Sequence, residues 1–261
     1  MKKTTIYAAN GLLSATLWRT VLVFGLASLL LSAPLRAQEE DSKVSLNISL
    51  NSDIFFGFYP FFSGAYKGSS VDFTFYGILW SGGAAGGSWG NWTEFGIGIG
   101  IPVGDALYIN PQVGLLNGSL TSGLGTPVLA EGLVPNLTVG LGTDALEGEL
   151  YGGYYMGLDH GNPTTNNYLH YWINGGYKIS SFLSLGLHFE QLRFTGGKDE
   201  GPAREAFDFY QALGPYIQFS APKLGAFARF SSGFDLRSDA EVAKSSFEQP
   251  SFFKLSVGFG F

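Results

Sequence analysis

The 261-residue chain has no cysteine, three histidines, two methionines and only 14% charged residues. Without cysteine there is no disulfide framework and no lipid-attachment thiol behind a leader. Long apolar runs are missing too. Beyond residue 37 none reaches the ~18 residues of a membrane-crossing helix, which excludes a helical-bundle membrane protein. Basic charge is scarce, with 15 Lys and Arg against 21 Asp and Glu. Four of those bases (Lys2, Lys3, Arg19 and Arg36) and no acid fall within residues 1–37, so the remainder carries 11 bases against 21 acids, a formal −10. A nucleic-acid partner, which needs a basic surface, is not expected.

Residues 1–37 have the pattern of an export signal. A basic start leads into the 14-residue apolar run 20–33, and Leu35-Arg36-Ala37 places a small residue before Gln38. A transmembrane helix needs ~20 apolar residues, so the run suits a cleaved secretory signal better than an anchor. The remaining 38–261 is a size for one domain. Its 38 Gly, 23 Phe and 13 Tyr suit strands with tight turns.

Apolar residues then recur at every second position, the period of a strand with one greasy face. Residues 44–51 alternate without a fault, and Asn51-Ser52-Asp53 has turn chemistry. Segment 54–66 is rich in Phe and Tyr but ambiguous in phase, and Pro60 weakens it as a central strand. Further alternating segments begin near Val71, Thr93, Leu107, Leu133, Leu146, Leu169, Leu183, Phe209 and Leu224. The last, 251–261, sets Phe253, Leu255, Val257, Phe259 and Phe261 on one face, with Phe252, Lys254, Ser256 and two glycines between them. From residue 81 onward short connections (102–106, 142–145, 180–181, 221–223) alternate with long polar ones (81–91, 117–128, 159–167, 196–206, 237–250).

The closing strand resembles that of bacterial outer-membrane β-barrels. The resemblance implies an all-β, transmembrane, antiparallel up-and-down barrel with tight periplasmic turns and long external loops. It also implies outer-membrane lipid as surroundings and recognition of the strand ending at Phe261 by the barrel-assembly machinery. Even parity requires two strands within 44–66, giving about twelve, with ten as the alternative count; one long strand there would give eleven. In length the chain is similar to the nucleoside-channel type of twelve-stranded barrel, but no motif maps onto it residue by residue. On the outward face Tyr177, Phe219 and Phe261 would form one aromatic girdle, and Tyr171, Phe209, Phe234 and Phe253 the other.

The inward face collects the chemistry. Candidate lumen residues are Glu94, Glu147, Glu149, Tyr151, Trp172, Lys178, His188, Glu190, Tyr216, Arg229 and Lys254. Short hairpins predict Asn174 opposite His188, Trp172 opposite Glu190, Gly140 opposite Glu149 and Tyr216 opposite Arg229. Inward acids outnumber bases, so a mildly acidic lumen is expected. Either these charges pair and fill a closed barrel, or they line a narrow aromatic pore for passive diffusion of small hydrophilic solutes. The closed reading makes the external loops 81–91 and 237–250 candidate partner-binding surfaces. An outer-membrane hydrolase is the remaining alternative, but no serine stands beside His188 in this register. No metal-ligand spacing is present and no cofactor is expected. The glycines of 96–100 lie on a strand, so they are not a nucleotide loop.

Overall fold

The computed structural model describes residues 42–80, 92–124, 126–245 and 247–261; residues 1–37, read above as a signal, and loop 81–91 lie outside them. Twelve strands run in chain order: β1 (Val44–Asp53), β2 (Gly57–Tyr66), β3 (Asp72–Trp80), β4 (Trp92–Val103), β5 (Leu107–Gly118), β6 (Val128–Gly142), β7 (Leu146–Gly157), β8 (Asn167–Lys178), β9 (Leu183–Gly196), β10 (Phe207–Ala221), β11 (Ala226–Asp235) and β12 (Ser251–Gly260). Each is antiparallel to its neighbours, and β12 returns to β1 to close the barrel. The chain end completes that seam, where Phe261 and Leu46 exchange main-chain hydrogen bonds of 2.7 and 3.0 Å. Twelve strands also settle segment 44–66 as two strands.

The turn between them is only three residues long. Asp53, at its start, accepts hydrogen bonds from the main-chain N–H of Phe55 (2.9 Å) and Phe56 (2.6 Å). Asp53 thus satisfies donors that a tight turn otherwise strands. Pro60 is tolerated opposite Leu50 because pairing of β2 with β3 begins only at Phe61.

The barrel is inverted relative to a water-soluble one. Leu46, Ile48 and Leu50 of β1, Ile97 and Ile99 of β4, Leu185 and Leu187 of β9, and Phe253 and Leu255 of β12 point outward and are 42–61% exposed. Inside, Glu94, His170, His188 and Glu190 are enclosed. Leaving such an apolar belt in water would forgo ~25 cal/mol for each Å². The surface therefore suits lipid. No helix among the described residues is long and apolar enough to cross a membrane.

One end carries the turns 67–71, 104–106, 143–145, 179–182 and 222–225 together with the chain end; the opposite end carries the long loops. Those loops are tied together. Glu131 accepts main-chain N–H groups from Leu120 (2.9 Å), Thr121 (2.9 Å) and Ser122 (3.0 Å). Arg204 bonds Asn166 at 2.7 Å and Asp199. The Arg204 main-chain N–H and guanidinium hold the Asp199 carboxyl below its ordinary range. In loop 236–250 the short helix α1 (Asp239–Ser245) packs on β10. Arg237, its side chain fully enclosed, fastens this loop by donating to the Asp208 carbonyl (3.0 Å), Ser245 Oγ (2.8 Å) and the Phe247 carbonyl (2.9 Å).

Three expectations are corrected. Tyr216 lies opposite Ser231, and Arg229 opposite Gln218. The β10–β11 connection is the four-residue turn 222–225, built on the 3₁₀ turn Pro222–Leu224 and closed by Gly225 at φ 60°, so the register moves by two and keeps the same face inward. Leu224 accordingly belongs to the turn, and β11 begins at Ala226. Phe209 does not join the outer girdle: a bulge between Asp208 and Tyr210 makes it the extra residue, and its ring meets Phe55 (5.8 Å) and Phe207 (4.9 Å). Of the other girdle residues, Tyr177, Phe219, Phe234, Phe253 and Phe261 are exposed.

Candidate functional site

The interior has two zones along the barrel axis. Toward the termini end lies a cavity of about 520 Å³. Its mouth is formed by Ser45, Lys67 and Asp72, and its deep end by Tyr59, Trp80, Tyr155 and His170. The wall between sets hydroxyl and amide groups among aromatic rings: Asn47, Ser49 and Ser63 on the first hairpin, Asn110 and Gln112 on β5, Asn136 on β6 and Ser256 on β12 stand beside Phe61, Tyr108, Trp172 and Phe227. These are the even or odd alternates of strands whose other face is apolar, so the period-2 pattern that makes the lipid face also makes this polar one.

Room for the wall's rings comes from glycine. Tyr76 of β3 stands opposite Gly96 of β4, and its ring occupies the space a Cβ at Gly96 would need. That placement lets the Tyr76 hydroxyl donate to Glu94 Oε1 (2.6 Å) while accepting from Asn136 Nδ2 (2.8 Å). Trp80 Nε1 donates to the second oxygen of Glu94 at 3.3 Å, so this fully enclosed carboxyl is engaged at both oxygens. Gly96→Val is expected to push the ring off the wall and lower stability by about 1–3 kcal/mol, the usual cost of overpacking. Urea unfolding of the reconstituted barrel would show it as a lowered midpoint.

Toward the long-loop end the lumen is filled. Glu190 of β9 is fully enclosed and accepts four hydrogen bonds. His170 Nε2 (2.9 Å) and the Tyr210 hydroxyl (2.8 Å) reach Oε1, while His188 Nε2 (3.1 Å) and Lys254 Nζ (2.8 Å) reach Oε2. The donors come from β8, β9, β10 and β12, so the cluster crosses the lumen. Beyond it lies an apolar layer made by the β1–β2 turn folding inward. The Phe55 ring meets Tyr210 at 4.9 Å and Phe247 at 5.2 Å, and Phe56 meets Trp80 at 4.7 Å and His170 at 5.3 Å. Phe55 and Phe56 are only 2% and 5% exposed. Among the described residues the cavity is therefore blind on the long-loop side.

The predicted lumen residues divide accordingly. Glu149, Tyr151, Trp172, His188, Arg229 and Lys254 border the cavity. Glu94 and Glu190 are sealed within the packed interior. Glu147 accepts from Tyr216 (2.8 Å), Ser184 (3.1 Å) and Gln218 (3.1 Å), forming a polar knot behind the wall. Lys178 donates to the Thr143 carbonyl at 2.7 Å, so it serves the β6–β7 turn at the barrel's end and not the cavity wall. The predicted pairs Asn174–His188, Trp172–Glu190 and Gly140–Glu149 are all present.

The expected acidic bias does not hold at the cavity wall. Its acids are Asp72 and Glu149, against Lys67, Arg229 and Lys254. The surplus acids counted from the sequence are the sealed or knotted ones. Asp53, Tyr59 and His170 were not among the sequence candidates. Asp53 read as a turn residue, while His170 and Tyr210 matter only because strands remote in sequence face each other across the lumen. Among the described residues no group of three or more His, Asp and Glu is placed to hold a metal ion. Among the described residues the hydroxyl beside His170 is that of Tyr210 at 3.2 Å, itself 1% exposed.

The chain path resembles several solved barrels. The NanC porin shows 10% identity and a TM-score of 0.48, covering 83% of this chain and 98% of its own. The COG4313 outer membrane channel from Pseudomonas putida F1 shows 11% identity and 0.46, covering 87% and 98%. The KdgM porin in complex with disordered oligogalacturonate shows 14% and 0.43, covering 83% and 99%. No curated protein matches the sequence. A sequence profile described as a family of unknown function (DUF6733) matches residues 12–261.

Proposed function

The chain belongs to this family, and we propose that it is an outer-membrane channel for small hydrophilic solutes, exported by residues 1–37 and assembled through the strand ending at Phe261. The observation that carries the reading is the open cavity of about 520 Å³, its ringed wall set with hydroxyl, amide and charged groups, inside a barrel whose outer surface is apolar. A barrel serving only as a scaffold gains nothing from a wall of serines, asparagines and rings around open space; filling the lumen with side chains would be more stable. In this reading the termini end faces the periplasm and the long loops face outward. Solute enters a narrow, aromatic-lined vestibule, and passage depends on displacement of the β1–β2 turn and rearrangement of the Glu190 cluster beside it.

Planar-bilayer recording of the purified barrel tests it. Discrete openings are expected, with ion preference altered by Glu149→Gln, since that carboxylate borders the cavity. A barrel that shows heat-modifiable migration yet stays silent, both as the natural sequence and with Phe55 and Phe56 replaced, would overturn the channel reading. That outcome would favour a closed structural or adhesive barrel, a reading the packed long-loop half supports, with the loop fastened by Arg237 as its partner surface.

A further inference from the structure

We propose that the cavity is a receptor for small hydroxylated carboxylates, with Arg229 as the group that receives the carboxylate. The proposal deepens the channel reading by naming its solute class, and it rests on that reading only for how the solute arrives.

The reason lies in which polar groups of the wall are already engaged. Asp72 accepts from the Gly68 N–H (3.2 Å) and the Tyr108 hydroxyl (3.0 Å). Glu149 accepts from the Trp172 indole. Glu147, linked to Arg229 through Gln218, accepts three hydrogen bonds. Arg229 is less committed. Arg229 uses Nε on Gln218 Oε1 at 2.8 Å, and its two terminal nitrogens make no hydrogen bond among the described residues. The guanidinium is held in place by ring faces, 4.8 Å from Tyr216 and 6.0 Å from Phe227. A planar donor fork, fixed by Gln218 and two aromatic rings and left open on its outer edge, is shaped for a carboxylate. Lys254, by contrast, is committed: it pairs with the enclosed Glu190 at 2.8 Å and its ammonium lies over the Trp172 and Tyr59 rings at 5.0 and 5.9 Å.

The rest of the wall selects hydroxyl groups. Asn136 is 8% exposed and donates to Tyr76 and to the Val134 carbonyl, while its Oδ1 is buried without a partner. It borders the cavity, and a hydroxyl donor that reached Oδ1 would supply the partner this oxygen lacks. Serines 45, 49 and 63 continue the same chemistry toward the mouth.

Gluconate, sorbitol and 1-amino-1-deoxysorbitol form a matched six-carbon series with negative, neutral and positive ends. Titration calorimetry of each into the detergent-solubilised barrel is expected to show gluconate binding at least tenfold more tightly than the other two. Arg229→Gln is expected to weaken gluconate about 10- to 100-fold, the worth of a charged hydrogen-bonded pair, and to leave sorbitol unchanged. If that variant fails to fold, Arg229→Lys keeps the charge without the fork and should weaken gluconate alone by several-fold. Equal affinities across the series, preference for the amine, no binding, or an unaltered Arg229→Gln profile would each overturn the proposal. Gluconate preference in a barrel that never conducts would leave the receptor standing and remove the channel. Conductance without that preference would do the reverse.

Discussion

A barrel carrying both Phe55→Ser and Phe56→Ser is expected to conduct several-fold more than the natural sequence in planar bilayers. Both rings come from the three-residue β1–β2 turn, and they cover the layer formed by Glu190, His170 and Tyr210. Apolar constrictions of this kind block ions because water does not wet them. Two serine hydroxyls would shorten the side chains and wet the gap. Loss of a buried Phe ring costs about 3–5 kcal/mol. Here the cost falls on the plug, because the twelve-strand hydrogen-bonded wall does not depend on it. Heat-modifiable migration should therefore persist while unitary conductance rises. An unchanged conductance in a folded double variant would mean that the turn is not the barrier.

The largest stability effect should come from Glu190→Gln. Neutralising this fully enclosed carboxylate leaves Lys254 without its ionic partner at 2.8 Å and presents an amide to donors from His170, His188 and Tyr210. Breaking a buried ion pair from one side costs about 3–5 kcal/mol. Adding Lys254→Met removes the stranded charge and should recover much of that loss. A double-mutant cycle, read from urea midpoints in lipid vesicles, measures the coupling directly. Additive losses would show that Glu190 and Lys254 do not act as a unit.

The fold was readable because period-2 alternation reports a strand without knowledge of its neighbours, and because strict alternation of loop lengths reports which end each strand leaves from. The pairs across short hairpins, such as Asn174 with His188, followed from turn length alone. Where the turn was misjudged by one residue, at 222–225, the pair Tyr216–Arg229 came out two positions wrong. Phe209 was misplaced for a related reason. A bulge flips the local face, and its only trace in sequence is a break in alternation between Asp208 and Tyr210 that polar neighbours disguise.

The candidate site was legible only in outline. That Glu149, Trp172, Arg229 and Lys254 turn inward follows from strand phase, which each strand carries in its own residues. Which of them meet could not be known, because β9 and β12 are not neighbours and the Lys254–Glu190 contact spans the lumen. The inward fold of the β1–β2 turn was equally hidden, since two adjacent phenylalanines after Asp53 look the same whether they plug a barrel or rest on its rim. The sequence by itself thus determined that the chain is a series of strands, about twelve with ten as the alternative, each with one apolar and one polar face, a consequence of local periodicity. Only the tertiary structure decided that the long-loop side of the lumen is sealed, that the surplus acids are sealed or knotted away from the cavity, and that Arg229 keeps its two terminal nitrogens free of hydrogen bonds among the described residues. Those outcomes depend on distances between strands far apart in the chain, and only the closed barrel sets them.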